Sequence, residues 1–123
     1  HGSFVHEDGH AWWIATGTGV APFRSMLRSG ILPKAMIHGA RTAEELYFQG
    51  EFSKISQYIR CLTQDSAEGA LSMRLTHYLE SLATLPSDIK YYLCGSPNMV
   101  VDVRNLLINK GVSFRDIVTE IYF

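Results

Sequence analysis

The fold is decided by the stretch Trp12-Trp13-Ile14-Ala15-Thr16-Gly17-Thr18-Gly19-Val20-Ala21-Pro22-Phe23-Arg24. It begins with apolar residues suited to a buried strand, passes through two glycines and opens a helix at Pro22, a residue favoured in a first helical turn. Because glycine lacks a Cβ, the backbone can approach an anion closely, and a helix N-terminus favours negative charge. The stretch predicts a phosphate-binding turn. Two glycines alone are also compatible with an ordinary turn, since the third glycine of the full dinucleotide fingerprint is missing.

Length and composition restrict the possible classes of protein. The chain has 123 residues, 46% apolar and 19% charged, which suits one globular domain. A net charge of −1 gives no reason to expect a nucleic-acid or membrane partner, and no apolar run is long enough to span a bilayer. Cys61 and Cys94, both in strand-like segments, favour free thiols in a reducing, cytoplasmic setting. The five histidines show no paired spacing, so no metal site is predicted.

Apolar runs and helical patterns alternate along the whole chain. The sequence predicts five strands, at residues 11–15, 34–39, 57–62, 90–94 and 117–123. Between them it predicts helices at 21–29, 42–56, 71–82 and 96–111. Such alternation favours an α/β fold with right-handed crossovers, a parallel sheet in the order 3-2-1-4-5 and helices on both faces.

Two of these helices have detailed local signals. A capping box predicts the start of helix 42–56, with the Thr42 hydroxyl accepting the N–H of Glu45 and the Glu45 carboxylate reaching back to the N–H of Thr42. The inward residues of that helix would be Leu46, Tyr47, Phe52 and Ile55. The prediction of helix 71–82 depends on the helical spacing of five residues, Leu71, Leu75, Tyr78, Leu79 and Leu82.

The predicted strand order brings two glycine-containing loops together. In a doubly wound sheet, ligands bind at the carboxyl ends of the strands where the winding reverses, here between the first and fourth strands. The loops at 16–20 and 95–98 both follow those strands and both open a helix. We therefore expect them to lie side by side around one anion-sized gap.

Four segments together resemble the nicotinamide-nucleotide domain of the ferredoxin–NADP reductase family. The first is Thr16-Gly-Thr-Gly-Val-Ala-Pro-Phe-Arg24, and the second is His38-Gly-Ala-Arg-Thr42 followed by Glu45-Leu-Tyr47. The third is Cys94-Gly-Ser-Pro-Asn-Met99, and the fourth is Thr119-Glu-Ile-Tyr-Phe123. The resemblance implies a flavin-dependent NAD(P)H oxidoreductase, in which a hydride moves between nicotinamide C4 and flavin N5 and electrons pass onward singly.

The resemblance also implies roles for individual residues. Cys94 and Glu120 would flank the nicotinamide as catalytic residues, and Tyr122 would cover the flavin. The pyrophosphate would be held by Thr16, Gly17, Thr18 and Gly19. Further dinucleotide contacts would come from Arg41, Thr63, Arg74, Gly95, Ser96 and Met99. The residues alone also fit other roles: Arg41 as an exposed arginine that aids solubility, Ser96 as a helix cap only, and Glu120 as an incidental charge on an edge strand.

The resemblance leaves both NADP and NAD open as the cofactor. Thr63 and Arg74 match the residues that NADP-specific members place at the 2′-phosphate, whereas Gln64 and Thr76 do not. Asp65 would repel a 2′-phosphate if its side chain faced the site.

The start of the chain suggests a larger protein. His1-Gly2-Ser3-Phe4 looks like the second half of the Gly-Pro-x-Gly-x-Phe segment that closes the flavin barrel of the resembled family, although a native or tag-derived start is the alternative. We expect residues 1–9 to be the tail of an upstream FAD-binding domain and 10–123 to be the NAD(P)-binding domain. FAD would be held mainly by the upstream domain, the electron partner would be ferredoxin or flavodoxin, and the isolated domain would be inactive. A non-catalytic module that senses a nucleotide or docks a partner is the rival interpretation.

Overall fold

The computed structural model describes residues 11–17 and 19–121, without the side chains of Glu120 and Ile121. The strands are β1 (Ala11–Thr16), β2 (Ala35–Ala40), β3 (Tyr58–Leu62), β4 (Lys90–Gly95) and β5 (Ile117–Ile121). The α-helices are α1 (Ala21–Arg28), α2 (Gln49–Phe52), α3 (Leu75–Ser81) and α4 (Pro97–Asn109). Two short 3₁₀ turns lie at Ala43–Glu45 and Phe114–Asp116. The predictions made for residues 1–9, Thr18 and Tyr122 concern positions outside the described residues.

The five strands form one parallel sheet in the order β3-β2-β1-β4-β5, which confirms the predicted fold class and strand order. The central strand β1 pairs with β2 on one side and with β4 on the other, so Trp13 lies opposite both Met36 and Tyr92. Ala15 is opposite Cys94 in the same register, which sets the carboxyl ends of β1 and β4 beside each other. The winding reverses at this pair of strand ends.

Both faces of the sheet are covered, because successive side chains of a strand point to opposite faces. Trp12 and Ile14 belong to the apolar cluster that includes residues of α3 and α4. Trp13 and Ala15 belong to the other cluster, which includes residues of α1 and α2. This double burial explains why β1 reads as a continuous apolar run rather than as an alternating one.

The predicted helix at 42–56 is wrong as a single element. A 3₁₀ turn at Ala43–Glu45 is followed by Phe48 in the left-handed region, with a φ of 62°, and only then by the four-residue α2. The hydroxyl half of the predicted capping box is absent, since the Thr42 side chain makes no cap. The Glu45 N–H donates instead to the Thr42 carbonyl at 3.1 Å. The Thr42 backbone N–H still helps to lower the pKa of the Glu45 carboxylate, as the other half of the box would.

Two neighbouring side chains explain why the capping box fails. Asp65 Oδ2 accepts the N–H of Ala43 at 3.1 Å and so caps the turn from a loop 22 residues away. The Glu45 carboxylate is engaged by Arg41, whose Nη2 lies 2.9 Å from Oε2 and whose backbone N–H lies 3.3 Å from Oε1.

The predicted helix at 71–82 is too long at its start. Leu71 forms a parallel bridge to Cys61 at the edge of β3: its N–H donates to the Arg60 carbonyl and its carbonyl accepts the N–H of Leu62, both at 2.8 Å. The helix α3 therefore begins only at Leu75. Leu71 is apolar because it packs at the edge of the sheet, and its helical spacing from Leu75 is incidental.

Within the part of the chain that the structure describes, no helix combines the length and the apolar character needed to cross a membrane.

Candidate functional site

The two glycine loops at the carboxyl ends of β1 and β4 are in backbone contact. A Cβ added to Gly19 would lie 2.5 Å from the Gly95 Cα and 2.8 Å from its nitrogen. No real Cβ approaches backbone atoms this closely, so only glycine fits at position 19. The predicted convergence of the loops at 16–20 and 95–98 is confirmed.

Gly95 is constrained on its other side as well. Its φ of 155° lies outside the range that side-chain-bearing residues readily adopt. An added Cβ would lie 2.5 Å from the Met99 Cε and 2.7 Å from the Thr16 Oγ1. The end of β4 therefore fits closely between the end of β1 and the first turn of α4.

The glycine turn after β1 is held by its own hydrogen bonds. The N–H of Gly17 donates to the Gly39 carbonyl at the end of β2, and the N–H of Gly19 donates to the Thr16 carbonyl, both at 3.0 Å. These two amides therefore fix the shape of the turn. Val20, the N-cap residue of α1, has no polar side-chain atom, so its side chain satisfies none of the free N–H groups in the first turn of that helix.

The second loop starts α4 in the predicted way. Ser96 is the N-cap, and its Oγ accepts the N–H of Met99 at 3.4 Å, while Pro97 takes the first helical position. The α4 N-terminus consequently opens beside the glycine turn of β1. A dinucleotide pyrophosphate commonly lies beside a helix N-terminus of this kind.

A cavity of about 700 Å³ lies over these strand ends. This size is within the range of small-molecule sites. The predicted site residues that line it are Thr16, Gly17, Gly19, Arg41, Thr63, Arg74, Gly95, Ser96 and Met99. The structure therefore brings these nine together, although it leaves their roles as predictions.

The two predicted catalytic residues, Cys94 and Glu120, differ in what the structure describes of them. The backbone of Glu120 on β5 is the register partner of Cys94 on β4, but the Glu120 side chain is outside the described part of the structure. Cys94 is fully buried, belongs to the cluster that packs under α1 and does not line the cavity. Its neighbour Gly95 lines the cavity in its place. The role of Cys94 beside a nicotinamide stays a prediction.

Charges of both signs border the cavity. Arg41 and Glu45 form an ion pair at 2.9 Å, in which hydrogen bonding to Arg41 lowers the pKa of Glu45 and the same contact raises the pKa of Arg41. Arg74 and Asp102 also line the cavity. Asp65 does not line it: backbone N–H groups hold its carboxylate and lower its pKa.

His38 is a buried residue behind the glycine turn. Its Nδ1 lies 2.8 Å from the Tyr58 hydroxyl, and its ring meets Phe52 edge-on at 5.9 Å. Burial lowers the pKa of His38 to about 4, although the backbone of Gly17 acts in the opposite direction. The imidazole is therefore neutral near pH 7 and packs as part of the support for the turn. Its burial and its contacts are those of a structural residue.

Several residues that line the cavity are not among the predicted site residues. Tyr47 was expected to point into the core, and yet it is exposed at the cavity. Leu75, Thr76, Asn98 and Asp102 also line it, because they lie at the starts of α3 and α4. The helix starts themselves were the available signal for these residues. Among the described residues, no group of three histidine, cysteine, aspartate or glutamate side chains is placed to hold a metal ion.

Two relatives are similar to this chain in sequence. The chain is 34% identical to the reductase component of propane 2-monooxygenase from Mycolicibacterium goodii, over 81% of this chain and 34% of that protein. It is 27% identical to the flavodoxin/ferredoxin–NADP reductase of Buchnera aphidicola, over 80% of this chain and 47% of that protein. The chain thus spans about a third to a half of the length of these relatives.

Solved structures with the same fold include two larger proteins. The FAD/NAD-binding domain of nitric oxide dioxygenase from Vibrio cholerae superposes with a TM-score of 0.78 at 20% identity, over 97% of this chain and 53% of that one. An Amycolatopsis cytochrome P450 reductase superposes with a TM-score of 0.76 at 24% identity, over 92% of this chain and 37% of that one. These likenesses establish the fold.

Sequence supplies the family. Residues 13–105, which include the glycine turn, the β4 loop and most of α4, match the profile of the oxidoreductase NAD-binding domain. This match, with the glycine loops in contact above the centre of a 3-2-1-4-5 sheet, confirms the resemblance to the nucleotide domain of ferredoxin–NADP reductases. The chain belongs to the oxidoreductase NAD-binding domain family.

Proposed function

We propose that this chain is the nicotinamide-dinucleotide-binding part of a flavin-dependent oxidoreductase that exchanges a hydride between NAD(P)H and FAD. The observation that carries the proposal is the backbone contact between Gly19 and Gly95 at the point where the sheet winding reverses. Two helices begin there, α1 and α4, and a cavity large enough for a dinucleotide lies above them. The family match argues against a docking module without redox function.

We infer from the strand order that the two halves of the dinucleotide bind on the two sides of the glycine contact. The pyrophosphate binds beside the turn of Thr16, Gly17 and Gly19, with Thr18 completing it. The adenosine half binds toward β2 and β3, where Arg41, Thr63 and Arg74 line the cavity. Either NAD or NADP is compatible with a border that carries two arginines and two carboxylates.

The nicotinamide half binds on the opposite side, above β4 and β5. Gly95 and Ser96 line the cavity there, and Met99 packs against Gly95. Cys94 and Glu120 adjoin the ring through their neighbouring strand positions, and Tyr122 covers the flavin. When both cofactors are bound, they supply the hydride transfer from nicotinamide C4 to flavin N5, and this chain supplies position and electrostatics.

The whole protein includes an FAD-binding domain, in line with the FAD bound by the flavohemoglobin of Malassezia yamatoensis and with the FAD/NAD-binding domain of the Vibrio cholerae nitric oxide dioxygenase. The electron partner of the whole protein would be a small redox protein such as ferredoxin or flavodoxin, to which a bound flavin would supply single electrons. We expect this chain by itself not to turn over NADH or NADPH, because FAD would be held mainly by the other domain.

Calorimetric titration tests the proposal. ADP-ribose is the best first ligand, since its adenosine and pyrophosphate need only the residues of this chain. We expect saturable one-to-one binding of ADP-ribose, with NADH and NADPH titrated alongside to rank the two cofactors. A folded chain that binds none of the three would contradict the proposal. For the complete gene product, we expect flavin absorbance and oxidation of NADH or NADPH with ferricyanide as acceptor.

A further inference from the structure

Tyr47 is an exposed aromatic residue at the edge of the cavity. Its side chain lines the cavity and is 42% exposed, whereas the nearby Leu46 and Phe52 are almost completely buried. The left-handed φ of 62° at Phe48 interrupts the helix that would otherwise have carried Tyr47 toward the core. A non-glycine residue in this region costs free energy, and such conformations cluster at functional sites.

The Tyr47 side chain makes few interactions with the described residues. It meets Phe48 at 6.5 Å in a tilted arrangement, while Phe48 itself is covered by the Arg24 guanidinium at 3.8 Å from the ring centroid. The Tyr47 hydroxyl makes no hydrogen bond within residues 11–17 and 19–121. A large amphipathic ring is thus exposed at the cavity, in tilted contact with Phe48 and with its hydroxyl available to a ligand.

The position of Tyr47 on the fold indicates what it meets. It follows β2, and the other residues at this end of the cavity include Arg41 and Glu45 after β2, Thr63 after β3, and Arg74 and Thr76 at the start of α3. This is the β2–β3 side of the glycine contact, opposite to the Gly95 loop. A dinucleotide whose pyrophosphate lies at the glycine turn and whose nicotinamide lies above β4 places its adenine here.

We propose that Tyr47 is the stacking platform for the adenine ring of the dinucleotide. The proposal rests on the function proposed above and adds a binding residue to it. Every base has a π-face that a tyrosine ring can cover, and alanine substitution of such a residue weakens binding on the order of tenfold. Stacking needs the ring and not the hydroxyl, so phenylalanine should replace tyrosine at this position.

Calorimetry with two probes separates stacking from phosphate binding. ADP contains the base, and inorganic pyrophosphate does not. We expect Tyr47→Ala to weaken ADP and ADP-ribose binding about tenfold and to leave pyrophosphate binding unchanged, while Tyr47→Phe binds both like wild type. The matched control is Phe114→Ala, which removes an exposed aromatic that precedes β5 at the opposite edge of the sheet and should change nothing.

Nuclear magnetic resonance supplies a readout that a merely structural role would not produce. We expect upfield shifts of the adenine protons of bound ADP and cross-relaxation between the adenine H2 proton and the Tyr47 ring. Equal ADP affinity for wild type and Tyr47→Ala would overturn the proposal, and so would an equal loss of pyrophosphate binding. Wild type that binds none of ADP-ribose, NADH and NADPH would overturn the proposed function itself, which distinguishes the two failures.

Discussion

Mild acid should destabilise the protein through His38. The ordinary pKa of histidine is near 6.5, and burial lowers the pKa of His38 to about 4. The unfolded chain therefore takes up a proton at this residue before the folded chain does. The stabilisation is fully present above pH 6.5 and is lost as the pH falls from 6.5 to about 4. At about 1.4 kcal/mol per pH unit, this interval corresponds to roughly 3 kcal/mol of unfolding free energy.

Urea unfolding at pH 7, 6, 5 and 4, followed by tryptophan fluorescence, measures this loss. Wild type should lose stability through the whole range, whereas His38→Gln should be less stable at pH 7 but nearly flat down to about pH 5, because the titrating ring is gone. His77→Gln is the matched control, since His77 is exposed on α3.

Acidic residues limit how far the pH can be lowered before effects other than that of His38 appear. Contacts with arginines lower the pKa of Glu45 and Glu51, and backbone N–H groups lower that of Asp65. These carboxylates add their own acid sensitivity below about pH 4.5 in every variant. Parallel curves for wild type and His38→Gln between pH 6.5 and 5 would refute the reasoning.

Two further predictions concern backbone contact and thiol chemistry. Gly19→Ala places a Cβ 2.5 Å from the Gly95 Cα, so we expect a loss of about 1–3 kcal/mol in the free energy of unfolding and weaker ADP-ribose binding by calorimetry. Gly50→Ala, which meets nothing within 4 Å, is the control, and equal behaviour of the two variants would contradict the contact. Cys61 and Cys94 are both fully buried, and burial raises the pKa of Cys61 to about 11. Both thiols should react with Ellman's reagent only after unfolding, and rapid reaction of the native protein would count against this packing.

The strand order could be predicted because its signals are local and repeated. An apolar run followed by a glycine turn or a helix start recurs along the chain, and alternation of strands with helices leaves few topologies. The β1–α1 junction is the clearest case, since Thr16, the two glycines and Pro22 all favour the same conformation. The Ser96 cap was predictable for the same reason.

The failures occur where a distant residue decides a local structure. The Thr42–Glu45 pattern favours a capping box, but Asp65 and Arg41 make the competing hydrogen bonds, and nothing near Thr42 reveals Asp65. Leu71 has helical spacing and is nevertheless a sheet-edge residue, because periodicity counts apolar residues without showing what they contact. For the same reason, periodicity could not reveal that the Tyr47 side chain points outward.

The glycines at the carboxyl ends of the central strands form the floor of the cavity. They show why a single glycine in the sequence is weak evidence for a binding site and several together are strong evidence. Three adjacent strand ends carry glycine: Gly17 after β1, Gly39 in β2 and Gly95 at the end of β4. A Cβ on Gly39 would lie 3.1 Å from the Leu75 Cβ, and Gly95 already fits against Gly19 and Thr16. Since the Gly17 N–H also donates to the Gly39 carbonyl, the floor is a continuous surface of backbone shared by three strands. Side chains at these positions would hold a phosphate away from the helix N-termini. The glycines are therefore one requirement, distributed over segments that are far apart in the sequence and adjacent only in the folded sheet.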